Sequence, residues 1–400
     1  MIKLQEIERA RQTIQTMVYP TPILTSDSIS ARAGLKVYLK LENLQKTGAF
    51  KIRGAYYKIS KLVSSLDVKG VVAASAGNHA QGVALAASSH GVPATIVMPE
   101  RAPLSKQLAT RSYGGRVILR GDSFEEAEGY ARELEKEGLA MIHPFEDEDI
   151  IAGQGTIGLE VMEALPDLDA IIVPIGGGGL ISGVALAIKG RKPNIQVIGV
   201  EAASAPSALR SVKAGKIIPV KPLPSIADGI AVKSVGQLTY PIIRQFVDDV
   251  VTVEEDEIAA AILMLMERKR IVAEGAGAVP LAALLKGDTK IKGSNCALLI
   301  SGGNIDVNLI DRIIAQGLAK TGRIIRIAVN LRDVPGSLAN ISRIIAAEGA
   351  NILHIYHDRT SKRIPIGCTK VVLELETAGT DHIQEILGKL KEEDNAVELA

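Results

Sequence analysis

Between about residue 37 and residue 312, short apolar runs alternate with amphipathic stretches. The runs at 70–74, 93–98, 116–119, 170–173, 196–200 and 297–300 are rich in Val, Ile and Ala. Runs this short, with no polar alternation, read as strands covered on both faces, and the stretches between them read as the covering helices. The pattern predicts an α/β architecture with an open, doubly wound, mostly parallel sheet. Segments 37–142 and 150–312 read as two lobes, the smaller inserted in the larger, within a unit that spans 1–320. Residues 1–16 read as an amphipathic helix ahead of them.

Past residue 320 the period changes. After a break at Thr321 and Gly322, residues 323–331 alternate apolar and polar as a half-buried strand does. A turn at 333–338 leads into a helix over 338–348. Strands at 351–357 and 364–375, a helix at 381–391 and a last strand at 396–399 complete the order β-α-β-β-α-β. That is a ferredoxin-like split unit, so a second, small α+β domain is expected over 323–400. A domain of that size buries little by itself, and pairing with a second copy would complete it.

Composition narrows the function. The 400 residues carry 46 Lys and Arg against 45 Asp and Glu, a net charge of +1, which gives no field to hold a polyanion. Aromatics make up 3% with no Trp, so stacking platforms for single strands are missing. Nucleic acid is not an expected partner. No apolar stretch approaches the roughly 18 residues of a membrane span, and no signal-peptide core opens the chain. A cytoplasmic protein with two reduced structural thiols, Cys296 and Cys368, is the expectation.

Four motifs carry chemistry. The first is 47–55, Thr-Gly-Ala-Phe-Lys-Ile-Arg-Gly-Ala. Lys51 follows Phe50 directly, between a Gly turn and a helix start. Apolar surroundings depress an ammonium's pKa and leave a neutral nucleophile able to form a Schiff base with an aldehyde cofactor. A surface lysine beside a buried Phe is the plainer reading of the same residues.

The second motif is Ser75, Ala76, Gly77, Asn78, His79, Ala80, Gln81 and Gly82, between a strand and a helix expected over 81–89. Free N–H groups at a helix start favour an anion such as a substrate carboxylate. Asn78 reads either as a helix cap or as a donor to a cofactor oxygen. His79 reads as a loop-shaping residue.

The third is the run Gly176, Gly177, Gly178 and Gly179 followed by Leu180, between the 170–173 strand and a helix starting near 181. Backbone N–H groups in such a loop converge on a phosphate without interference from side chains. A flexible turn has the same composition, but the position between a buried strand and a helix start is more specific. No Gly-x-Gly-x-x-Gly with a later acidic partner points to a dinucleotide, and no Lys-Ser/Thr follows for a nucleoside triphosphate.

The fourth is Ser301, Gly302, Gly303 and Asn304 at the end of the 297–300 strand. A hydroxyl there can bond a pyridine nitrogen without protonating it, which favours prompt loss of a β-leaving group over transamination. A tight turn is the alternative reading.

With these motifs in this order, the chain resembles the fold-type II pyridoxal phosphate enzymes, specifically the threonine dehydratases (threonine ammonia-lyases) with their serine dehydratase and serine racemase relatives. The likeness covers residues 5 to about 315. Residues 323–400, with Asp333, Val334, Pro335, Gly336, Ser337 and Leu338, resemble an ACT domain, a small-molecule regulatory module. The resemblance implies pyridoxal 5'-phosphate as cofactor and Lys51 as its Schiff-base lysine and catalytic base. It implies Phe50 beside the ring, Asn78 on the phenolic oxygen, the phosphate on Gly176 to Leu180, and the pyridine nitrogen on Ser301. Residues Ser75 to His79 would bind the substrate, and Asp333, Gly336, Ser337 and Leu338 an effector.

Two positions depart from the relatives. Ala49 stands where many carry Ser, and Ala76 where serine racemases place the hydroxyl that serves the second face of Cα. Glu201 matches one ligand of a divalent-cation site seen in some relatives, but Ser207 stands where a carboxylate would help, and no metal is expected.

The implied activity is dehydration and deamination of L-threonine to 2-oxobutanoate and ammonia, with L-serine to pyruvate as a side reaction. Regulation through the ACT domain, a role in isoleucine biosynthesis and a homodimer or homotetramer are implied with it. A racemase or β-replacing synthase, and a non-catalytic amino-acid sensor, are the rival readings.

Overall fold

The computed structural model describes residues 2–65, 68–359, 364–392 and 396–399; Met1 of the expected first helix lies outside them. The chain divides into two compact units, Met1–Asp306 and Val307–Ala400.

In the first unit, six strands form one sheet in the order β1 (Ile23–Thr25), β2 (Lys36–Leu41), β10 (Asn295–Ile300), β7 (Ala170–Pro174), β8 (Gln196–Ala202) and β9 (Asp249–Val253). All neighbours are parallel except β1, which runs antiparallel to β2 on the edge. Every residue of β7 is buried, as a strand covered on both faces requires. A second, wholly parallel sheet has the order β5 (Gly115–Leu119), β4 (Ala94–Met98), β3 (Val71–Ala74) and β6 (Ala140–Met141). Residues 36–41, which open the segment expected as the smaller lobe, therefore lie in the larger sheet. Their Lys-Val-Tyr-Leu-Lys-Leu sequence mixes charge with apolar residues, which hid a largely buried strand.

The helix Leu4–Ile14 packs its buried Ile7, Ala10 and Ile14 on this unit. The helices Ile52–Ser65 and Glu148–Ala164 cross at glycines. A Cβ added to Gly153 would lie 2.5 Å from the Gly54 Cα, so no larger residue fits.

Between those two helices and β2 lies a buried charge cluster. Arg53 and Glu42 are fully buried, Lys40 is nearly so, and Glu160 is half-buried. The Arg53 guanidinium donates to both Glu42 oxygens at 2.8 Å, to Glu160 Oε1 at 2.6 Å and to Thr156 Oγ1 at 3.1 Å. Lys40 Nζ donates to Glu160 Oε2 and to the Thr21 carbonyl. Two cations thus face two anions. Burial opposes the charge on Arg53, but Glu42 and Glu160 reverse that and hold its pKa above the ordinary value. Burial would likewise raise the Glu42 pKa, and Arg53 holds it low instead.

Two helix starts differ from expectation. The helix Asn78–Ser89 begins three residues earlier than 81, with Gly77 as its cap and no side-chain cap bond. Asn78 is therefore not a cap, and the buried His79 is a first-turn residue, not a loop one. Its Nε2 lies 2.7 Å from the Ile142 carbonyl oxygen, and burial lowers its pKa to about 3, so the ring is neutral. The helix Gly179–Arg191 likewise begins inside the glycine run, capped by Gly178 at φ +94°, a conformation that favours glycine.

The second unit has an antiparallel sheet in the order β12 (Asn351–Asp358), β13 (Cys368–Glu376), β11 (Ile324–Arg332) and β14 (Ala396–Leu399). Along β13 buried and half-buried residues alternate, and Val371, Leu373 and Leu375 meet Ile341, Ile345, Ile386 and Leu390 from the helices Ser337–Ala347 and Thr380–Glu392. Strand β13 starts at Cys368, not 364, because Ile366 and Gly367 form a turn. The helix Val307–Lys320 groups with this unit. Both cysteines are free: Cys296 is buried on β10 and Cys368 is half-buried. Among the described residues no helix is long and apolar enough to cross a membrane.

Replacing Arg53 by Met would leave the fully buried Glu42 carboxylate without its ion-pair partner, and removing one partner of a buried pair costs about 3–5 kcal/mol. Urea unfolding of Arg53→Met should show a loss of that size; a loss below about 1 kcal/mol would show the cluster to be dispensable.

Candidate active site

The chain leaves β2 through a short 3₁₀ turn, Glu42–Leu44, and reverses at Gly48, whose φ is +70°. It then runs beside the end of β10. Ala49 bridges Gly302, and Phe50 N–H donates to the Ser301 carbonyl at 3.1 Å. These bonds fix Lys51 next to Ser301. Phe50 is buried, and Lys51 Nζ lies 5.1 Å from its ring centroid, within cation–π range. The same Nζ donates to the Pro144 carbonyl at 3.1 Å. Desolvation lowers the Lys51 pKa to about 8, with Glu274 pulling the other way. A neutral amine is therefore accessible near physiological pH, as the first motif requires.

Asn78 lies on the first turn of its helix, at the end of β3. Its Nδ2 donates to Glu274 Oε1 at 2.8 Å and Oε2 at 3.0 Å, and its Oδ1 accepts from Asn304 Nδ2 at 2.6 Å. Asn304 Nδ2 also donates to the Thr47 carbonyl at 2.8 Å. These partners fix which way the Asn78 amide faces. Ser75 Oγ accepts from Gly77 N–H at 3.2 Å and shapes the loop before the helix. Ala76 and Gly77 are half-buried beside it.

Glu274 was not legible as a site residue. It is buried at the start of the helix Gly275–Lys286, where its N–H donates to the Gly302 carbonyl. Desolvation raises its pKa to about 7; the Asn78 bond opposes that, Asp228 adds to it, and Lys106 and Lys51 oppose it. The one signal in the sequence is a carboxylate directly ahead of a long run of small and apolar residues at 275–285.

The glycine loop follows β7. A Cβ on Gly177 would run into the Phe145 ring, and one on Gly178 would lie 2.7 Å from Thr239 Oγ1. The protein fills the side-chain side of the loop itself. The amides of the first helical turn, Gly179 and Leu180 among them, have no intrahelical acceptor by geometry. Such a cradle suits a phosphate, and the helix dipole adds to it. Phe145, next to the Pro144 whose carbonyl receives Lys51, ties loop and lysine together. Ser301 directly follows β10 with only 2% exposure, its hydroxyl a side-chain polar group at that strand end. An amine of lowered pKa, a phosphate cradle, an amide donor and a strand-end hydroxyl together fit an aldehyde cofactor bearing a phosphate and a pyridine ring.

Asp333, Gly336, Ser337 and Leu338 lie in the second unit. They line a cavity of about 440 Å³ with His357, Arg359 and Thr369, which the sequence did not single out. Arg359 Nε donates to both Asp333 oxygens, at 3.1 and 2.9 Å, and holds that carboxyl below its ordinary range. Glu201 accepts from the N–H groups of Ala208 and Leu209 at 2.7 and 2.8 Å, and burial raises its pKa to about 7. Among the described residues no three His, Cys, Asp or Glu gather as a metal would need.

Residues 14–302 match the pyridoxal-phosphate dependent enzyme family, and residues 320–398 match the ACT domain. The chain is 52% identical over 387 residues to the L-threonine ammonia-lyase of Thermotoga maritima, covering 96% of both chains. It is 49% identical over 392 residues to that of Geobacter sulfurreducens, covering 98% of both. Among solved structures, the processed form of threonine deaminase isoform 2 from Solanum lycopersicum superposes with a TM-score of 0.74 at 40% identity, over 78% of this chain and 87% of that one. Maize serine racemase gives 0.75 at 40%, over 80% and 98%.

Because the Glu274 charge raises the Lys51 pKa, Glu274→Gln should lower it below about 8 while an amide oxygen still accepts from Asn78. The pH dependence of reductive methylation, mapped to the Lys51 peptide of the cofactor-free full chain, measures this. A midpoint that does not move, or moves up, would contradict the coupling.

Proposed function

The chain belongs to the pyridoxal-phosphate dependent enzymes and carries an ACT domain behind its catalytic unit; on that premise we propose that it is a threonine ammonia-lyase, converting L-threonine to 2-oxobutanoate and ammonia. The observation that carries the reading is Lys51: an amine of pKa about 8, held between the Phe50 ring and the Pro144 carbonyl beside Ser301. Near-full-length identity of about half to two proteins named L-threonine ammonia-lyase supports it.

When bound, the cofactor supplies an aldehyde for the substrate amine and a ring that accepts the electrons of the Cα bond. Lys51 holds the cofactor and, once released from it, takes the proton from Cα. The Pro144 carbonyl accepts one amine hydrogen and so orients the lone pair. Asn78, fixed by Glu274 and Asn304, presents its amide to the phenolic oxygen. Gly176 to Gly179 and Leu180 would hold the phosphate, and the Ser301 hydroxyl the pyridine nitrogen. Backbone N–H groups at the helix start, those of Asn78 and His79 among them, would take the substrate carboxylate. Loss of the Cα proton and the Cβ hydroxyl removes one water, and hydrolysis of the unsaturated amine returns it as ammonia leaves.

Serine differs by one methyl, worth about 1–3 kcal/mol in a pocket, so it is turned over more slowly to pyruvate. Ala76 offers no hydroxyl to the second face of Cα, which favours elimination over racemisation. The second unit binds a small effector at Asp333 to Leu338, and coupling of that site to substrate binding is reciprocal.

Lys51→Ala should lower threonine turnover by at least the 10²–10⁴-fold that a positioned base contributes and remove the long-wavelength absorbance of bound cofactor. Native-like turnover would end the assignment. Ending the chain after Thr321 should leave threonine turnover and abolish its response to isoleucine, valine or AMP, whichever of them acts on the full chain. A truncated chain that binds cofactor but is inactive would make the second unit part of the catalytic machinery instead.

A further inference from the structure

Thr239 is fully buried at the start of the helix Thr239–Phe246. Its Oγ1 donates to the Gly177 carbonyl at 2.7 Å and accepts from Gly236 N–H at 2.9 Å. The same carbonyl receives Gly236 N–H at 3.1 Å. From the other side, Glu146 accepts from Gln237 N–H at 2.6 Å and from Leu238 N–H, which pins the turn that carries Thr239.

A trans peptide holds its C=O and N–H antiparallel. The Gly177 carbonyl and the Gly178 N–H belong to one peptide unit, so drawing the first onto Thr239 turns the second away from it. Gly177 and Gly178 have no side chains to resist a peptide flip, and Gly178 sits at φ +94°. An outside restraint must set which way that N–H faces. We propose that Thr239 is that restraint: a positioning residue whose hydroxyl orients the Gly177–Gly178 peptide and so makes the loop competent to hold the cofactor phosphate, with Glu146 bracing it. This rests on the reading of the loop as the phosphate cradle.

The test uses the full chain stripped of cofactor, with binding of pyridoxal phosphate and of pyridoxal, which lacks the phosphate, followed by absorbance. Thr239→Val keeps the shape and removes both hydrogen bonds. It should bind pyridoxal phosphate about tenfold more weakly, the order expected for one lost, well-aligned hydrogen bond, and bind pyridoxal as the native chain does. Thr239→Ser, which restores the hydroxyl, should return to within about threefold of native affinity. Native affinity in a folded Thr239→Val, or an equal loss for both ligands, would overturn the proposal. Should Thr239→Val not fold by circular dichroism, Glu146→Gln, at a half-buried position, carries the same expectation, and an unchanged preference for the phosphorylated ligand would refute it. Equal affinity of the native chain for the two ligands would instead defeat the cradle reading itself, so the two failures are distinguishable.

Discussion

Arg53 carries a positive charge into the interior two residues after the lysine of the site, and the surrounding fold is arranged to keep that charge paired. Leaving one such ion unpaired costs several kcal/mol, so β2, the 52–65 helix and the 148–164 helix cannot shift independently. Glu42 comes from the end of β2, Arg53 from the first helix and Glu160 from the second. Gly54 and Gly153 let the two helices approach closely enough for the guanidinium to reach both carboxylates. Lys51 inherits its position from this cluster, since only Ile52 separates it from the anchored residue. The bond from Phe50 to Ser301 then sets the lysine beside the strand end.

The lysine and Glu274 form a second electrostatic system layered on the first. Burial lowers the amine to about 8 and raises the acid to about 7, so the two values approach each other. Each charge favours the other: Glu274 raises the pKa of Lys51, and Lys51 lowers that of Glu274. Asn78 is bonded to Glu274, so the charge on that acid also bears on the amide proposed to serve the cofactor's phenolic oxygen. The buried, neutral His79 adds no charge of its own.

Most of the architecture was legible because it follows from period and from backbone constraint. Apolar runs marked the central strands, and Gly-rich or Ser-Asn motifs at 75–78, 176–179 and 301–304 fell at strand ends, where helix starts and open turns concentrate ligand-binding groups. The alternation in 323–331 marked a second unit. What stayed hidden was set by distant contacts. Lys36–Leu41 carries two lysines and reads as half-polar, yet Lys40 is buried because Glu160, far along the chain, receives it. Glu274, Thr239 and Phe145 gain their importance from neighbours 196, 62 and about 32 positions away, Asn78 for the first and Gly177 for the others, and no local pattern announces that. His357 and Arg359 likewise reach Asp333 only through the pairing of β12 with the rest of its sheet.

The placing of the two cysteines has a practical side. Cys296 lies at the heart of the six-stranded sheet, between β2 and β7, and burial pushes its thiol far up in pKa, so it is chemically silent while the unit is folded. Cys368 opens β13 in the other unit and is only half-buried. The natural chain therefore comes with one addressable thiol, in the smaller unit that carries the ACT domain. A fluorophore attached there would report from the effector-binding unit without any engineered substitution, while modification of Cys296 would serve as an internal gauge of how much of the catalytic core has opened.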